Sequence, residues 1–137
     1  MAGYSGTPLI KKLGVKPGFR VALVGAPANF KDELGPLPAT AKFSSATADA
    51  LNLVLLFVSS ERKLKLRFAP LAAKLQKDGM IWVAWPKKSS GVVTDLIFDN
   101  VQRTCLDAGL VDVKICAVNE IWSGLKFVYR LKDRVGR

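Results

Sequence analysis

Ser59-Ser60, Trp85-Pro86-Lys87-Lys88 and Thr94-Asp95 are residues whose types and spacing suit the binding of an anion. Lysine ammonium groups and serine or threonine hydroxyls donate hydrogen bonds, and the ammonium groups also bring positive charge. The first two stretches each end a long apolar run, where a buried strand leaves its core. Gly25-Ala26-Pro27-Ala28 ends a third run. Together they predict a small anionic ligand held at one end of a sheet, with Ala26, Pro27, Ser59, Ser60, Trp85, Lys87, Lys88, Thr94 and Asp95 as the candidate ligand-binding residues. Helices that start after such loops add free backbone N–H groups. A plainer reading competes with this one, because loops after buried strands are polar in any case. Pro86 then merely ends a strand, Lys87 and Lys88 are solvated, and Ser90-Gly91 is a turn. Asp95 becomes a first-turn helix residue favoured by the helix dipole.

Catalysis has few instruments here. The 137 residues include no histidine, which excludes Ser-His-Asp and Cys-His nucleophiles and ordinary zinc hydrolase sites. Cys105 and Cys116 make no metal or redox spacing and read as thiols in a reducing cytoplasm. Cys105 falls on the inner stripe of a helix, as packing requires. Cys116 is less decided, because its strand face also carries Asp112 and Lys114. No catalytic residue, metal ligand or cofactor is assigned. An enzyme would have to use Asp95, Tyr4, a lysine or a cysteine as its acid or base. Tyr4 precedes the first helix, as a lid residue or as a packing anchor. Trp82 reads as core and Trp85 as a wall of the crevice.

The net charge of +10, from 21 basic and 11 acidic residues, favours anionic partners. A solubilising surface would carry the same charge. Arg62, Lys63, Lys65 and Arg67 form one basic run; Lys126, Arg130, Lys132, Arg134 and Arg137 form another. Neither sits in a recognisable nucleic-acid motif, so nucleic-acid binding is expected to be weak and salt-sensitive. No apolar run approaches the ~20 residues of a membrane helix, and no signal core opens the chain. The expectation is a cytoplasmic protein with no membrane partner; the oligomeric state is not readable.

These residues need a scaffold, and the apolar periodicity supplies one. "FRVALVGAP" (19–27), "ALNLVLLFVSS" (50–60) and "MIWVAW" (80–85) are continuous apolar strands, as in a sheet covered on both faces. "TPLIKKLG" (7–14) is a short helix capped by Thr7 and stopped by Gly14. A helical turn is expected near Phe30–Leu34 and a brief strand near Ala41–Ser45. Ser60 and Glu61 start a helix that Pro70 should kink or divide, with "KDG" (77–79) as its stop. Thr94 or Ser90 begins the next helix, with Ile97, Val101, Cys105 and Ala108 inside. "LVDVKICAV" (110–118) and "LKFVYRL" (125–131) alternate, and with "NEIWSG" (119–124) between them they predict an antiparallel hairpin. The layout is α/β: one Rossmann-like domain over residues 1–131, its sheet mostly parallel with helices on both faces and a C-terminal antiparallel hairpin, then a basic tail at 132–137.

On "NLVLLFVSS", "DGMIWVAWPKK" and "AGLVDVKICAVNEIWSGLKFVYR", the second half resembles the C-terminal half of class I S-adenosylmethionine-dependent methyltransferases. The whole chain, through "GYSGTPL", "KLGVKPG", "WVAWPKK", "GLVDVK" and "WSGLKF", also resembles a family of small bacterial proteins of unknown function. The first resemblance implies a truncated, degenerate methyltransferase-like fold. Such enzymes carry a DxGxGxG turn after the first strand and an acidic residue for the cofactor ribose after the next. Here the strand ends "VALVGAPANF", with Gly25 alone and Pro27 close behind, and "AKFSSATAD" offers only Asp49. Tight S-adenosylmethionine binding is therefore not expected. The resulting expectation is a non-catalytic binding or regulatory protein that takes a small anionic ligand at the strand ends. The alternatives are an enzyme with an atypical cofactor or substrate site, and a weak nucleic-acid-binding protein.

Overall fold

Three apolar runs without alternation have to be covered on both faces, and the computed structural model, which describes residues 7–134, covers them with a helix pair on each side. In chain order the elements are α1 (Leu9–Leu13), β1 (Arg20–Val24), α2 (Phe30–Leu34), β2 (Lys42–Phe43), β3 (Leu51–Phe57), α3 (Glu61–Ala72), β4 (Leu75–Pro86), α4 (Phe98–Asp107), β5 (Leu110–Ala117), β6 (Trp122–Tyr129) and α5 (Leu131–Arg134). A short 3₁₀ turn, Lys88–Ser90, follows β4. The sheet order is β2-β1-β3-β4-β6-β5. The first four strands are parallel, and β6 runs antiparallel to both β4 and β5. This is the expected mixed α/β sheet with its closing hairpin.

Alternate residues of the central strands feed two cores. Leu53, Leu55, Phe57, Trp82 and Ala84 face Leu13 of α1 and Phe30 and Leu34 of α2. Val54, Leu56, Ile81, Val83 and Trp85 face Leu64, Phe68, Val101 and Cys105 of α3 and α4. Trp82 is fully buried, and its indole N–H donates to Leu13 O at 2.9 Å. That bond fixes α1 on the sheet and satisfies the polar atom of a buried tryptophan.

Several expectations need correction. Helix α3 is continuous through Pro70. Only Leu71 and Ala72 lie beyond the proline, so it costs a hydrogen bond near a helix end and has little left to divide. "KDG" does not stop that helix. It belongs to β4, where the register jumps from Leu51↔Leu75 to Leu53↔Met80 and the intervening residues bulge. Helix α4 starts at Phe98, leaving Ile97 exposed as its flanking residue and Ala108 exposed beyond its end. The N-cap position of α1 is held by Pro8, without a side-chain bond, and not by Thr7. "WSG" lies in β6 rather than in the connection. Asn119 Oδ1 accepts from the N–H groups of Ile121 and Trp122, both at 2.9 Å, and so closes a tighter turn. Tyr4 lies outside the described residues.

Candidate functional site

From β1 the chain moves to β2 on one side and returns to β3 on the other, so the sheet has its switch point between β1 and β3. Ligands of open α/β sheets enter beyond the carboxyl ends of the strands at that point. The β1 exit is Gly25-Ala26-Pro27. Gly25 has φ +71°, and a Cβ on it would stand 2.7 Å from Phe57 O at the end of β3. Glycine is required here for its conformation and for the closeness of the two backbones. Ala26 is half-buried and Pro27 exposed. Behind these residues runs an aromatic ladder. Phe30 meets Phe57 edge-on at 4.9 Å, and Phe57 meets Trp122 edge-on at 5.0 Å. Sequence reasoning missed this ladder because its members come from α2, β3 and β6, and no local spacing connects them.

The β3 exit is tied to the segment before α4. Thr94 Oγ1 donates to Ser59 O at 2.6 Å and accepts from Leu96 N at 3.0 Å. Asp95 Oδ1 accepts from Glu61 N at 2.8 Å. Asp95 thus serves the first turn of α3, not that of the helix it precedes. Ser60 Oγ accepts from Lys63 N at 3.2 Å as the N-cap of α3. Asn100, a buried residue not picked out from the sequence, locks the segment from below. Its Oδ1 accepts from Ile97 N and its Nδ2 donates to Asp95 O, both at 2.8 Å.

The β4 exit is held from the hairpin side. Lys87 N donates to Ile121 O at 2.8 Å, and Ser90 Oγ donates to Lys87 O at 2.7 Å. Lys87 is half-buried and Lys88 exposed. Among the described residues, no hydrogen bond joins either lysine side chain to Ser59 or Thr94. Trp85 is 6% exposed within the core under α3 and α4. The structure therefore brings Ser59, Ser60, Thr94 and Asp95 together, with Ala26 and Pro27 at the neighbouring exit. Much of that polarity is engaged by the protein's own backbone. Cys105 is fully buried, and burial, then the charge of Asp112, pushes its thiol far up. It is a core residue. Between α3 and α4, a cleft of about 260 Å³ is lined by Lys65, Phe68, Ala69, Thr104, Asp107 and Ala108. Among the described residues no cluster has the composition of a metal site, and no helix is long and apolar enough to cross a membrane.

No protein-family model matches the chain, and no curated protein matches its sequence. Solved structures do match its fold. The chain is similar to precorrin-6y C5,15-methyltransferase from Geobacter metallireducens, at a TM-score of 0.65 and 9% identity over 89% of this chain and 86% of that one. It is similar to a SAM-dependent methyltransferase from Aquifex aeolicus, at 0.63 and 11% identity over 87% and 86%. Fibrillarin from Aeropyrum pernix, solved with natively bound S-adenosyl-L-methionine, matches at 0.58 and 11% identity over 92% and 70%. At such identities the likeness establishes a methyltransferase-like fold. It also overturns the expectation of a non-catalytic binding or regulatory protein: the neighbours on this fold are methyltransferases, and the enzyme reading is the better supported.

The residues at the switch point do not fit S-adenosylmethionine in the mode that the resemblance implied. Gly25 gives one close backbone approach, but Pro27 removes an N–H and fixes φ two residues later. No carboxylate directly follows β2; residues 44–48 carry none. Asp49 instead precedes β3, at the opposite end of the sheet, 3.6 Å from Lys74.

Proposed function

We propose that this chain is an enzyme on a methyltransferase-like scaffold, with an atypical ligand crevice at the carboxyl ends of β1, β3 and β4. The observation that carries the reading is the β1 exit. Gly25 is pressed against Phe57 O with a left-handed backbone at the switch point of a fold shared with methyltransferases. Ala26 and Pro27 form one lip of the crevice, and the Ser59-Ser60 backbone forms the other. Lys87 and Lys88 supply positive charge for an anionic group on the ligand. Asp95 has one carboxylate oxygen engaged by Glu61 N; the other is the proton acceptor of this reading, in a chain without histidine.

Titration with S-adenosylhomocysteine, followed by amide NMR, tests the crevice. The expected result is weak binding, with shifts confined to residues 25–30 and 57–61 and removed by Ala26→Trp. Pro27→Gly should tighten binding roughly tenfold, or ~1.4 kcal/mol, by restoring an N–H and a permissive φ. Micromolar binding by the natural sequence would overturn the atypical mode. Shifts elsewhere, or none, would overturn the crevice.

A further inference from the structure

The C-terminal hairpin carries a feature that the crevice does not use. A register shift between Asp112 and Lys114 sets Lys114 directly opposite Lys126. On its other side Lys126 pairs with Trp82. Trp82, Lys126 and Lys114 thus form one row across three strands. Like charges directly opposite one another in a sheet are destabilising. Two further lysines come from α1 and the turn after it. Lys12 Nζ donates to Ala117 O at 3.1 Å, and Lys114 Nζ reaches back to Lys12 O at 3.4 Å. Lys16 is close enough to act on Lys126 through its charge.

A solubilising lysine extends into water. Lys126 instead is half-buried, with its ammonium 5.8 Å from the centre of the Trp82 ring. Burial first, then the charge of Lys114, lower its pKa from the ordinary value; Cys116 opposes them, and Lys16 adds a smaller lowering effect. Cys116 is half-buried too, and burial raises its thiol against the opposing pull of Lys12, Lys114 and Lys126. The acid of β5 does not relieve this crowding. Asp112 accepts from Gln102 of α4, on the other face of the sheet. Among the described residues, no carboxylate pairs with Lys114 or Lys126.

We propose that Lys12, Lys114 and Lys126, with Lys16 at the rim, form a binding site for a phosphate group on the α1 side of the hairpin. A phosphate accepts several hydrogen bonds at once and offsets the repulsion that the fold leaves standing. Free phosphate, a nucleotide and a nucleic-acid backbone all present this chemistry. The site uses no residue of the crevice, so it stands or falls independently of the proposed enzyme.

Differential scanning fluorimetry tests it, with inorganic phosphate, adenosine monophosphate and a single-stranded RNA decamer, each against chloride at equal ionic strength. At least one of them should raise the melting temperature of the natural sequence by several degrees. A response to the small ligands identifies a free phosphate; a response to the decamer alone identifies a phosphodiester backbone. Lys114→Gln and the double variant Lys114→Gln with Lys126→Gln should remove the response. The ligand-free variants should melt no lower than the natural sequence, because a repulsion is removed. Ala26→Trp should leave the response intact. A response that persists in Lys114→Gln, or the absence of any response in the natural sequence, would overturn the proposal.

Discussion

The crevice and the hairpin face are both polar regions beside a buried sheet, yet they treat their polar groups in opposite ways. At the crevice the protein uses its side chains on itself. Thr94, Asp95, Ser60 and Asn100 each bond to backbone, and together they join the exit of β3 and the start of α3 to the segment that leads into α4. On the hairpin face, Lys114 and Lys126 oppose each other, and among the described residues no carboxylate pairs with either. Satisfied groups of the first kind stabilise the fold. Opposed charges of the second kind cost stability, and an external anion would offset that cost. Polar residues at strand ends are therefore weak pointers to a ligand until their partners are known. Lysines forced together are a stronger one.

Urea unfolding of single variants probes this contrast, from the largest expected effect downward. Gly25→Ala should destabilise by about 3 kcal/mol, from a left-handed backbone that resists a side chain and from overlap with Phe57 O. A neutral result would mean that the β1 exit is not pressed against β3. Asn100→Ala should cost about 2 kcal/mol, because Asp95 O and Ile97 N lose their partner in a partly buried setting. Thr94→Val preserves shape and removes the bond to Ser59, which should cost about 1 kcal/mol. Lys114→Gln should have the opposite sign and stabilise by ~0.5 kcal/mol. If it destabilises instead, the contrast between the two regions is broken.

The smallest effect is a pH dependence. The amine of Lys126 should titrate below the ordinary lysine value of 10.5, measured by NMR on the side chain, and should move up in Lys114→Gln. Between the lowered folded value and the unfolded one, the unfolded chain holds more protons. Stability attributable to this lysine should therefore rise with pH across that window.

Periodicity and composition determined much of this protein. The apolar runs located β1, β3 and the carboxyl half of β4. Alternation located the hairpin, and Ser60 located the start of α3. The turn around Phe30–Leu34 was readable as well. These are local properties: a strand buried on both faces needs continuous apolar residues, and a helix start needs an acceptor for its free N–H groups. The sequence also excluded histidine chemistry outright.

Tertiary structure decided the rest. Asp95 reads as a residue of its own helix, yet it bonds to Glu61, 34 positions away. Phe30, Phe57 and Trp122 share no spacing and still form one ladder. Lys114 faces Lys126 only because a bulge shifts the register by one place, and such a shift turns a side chain to the other face. Trp82 reaches Leu13 O across 69 residues, and it packs where Gly124 leaves room: a Cβ there would stand 3.2 Å from its ring. Each of these contacts depends on which strands become neighbours and in what register. Local propensity carries no record of that choice; burial of both sheet faces makes it when the chain folds.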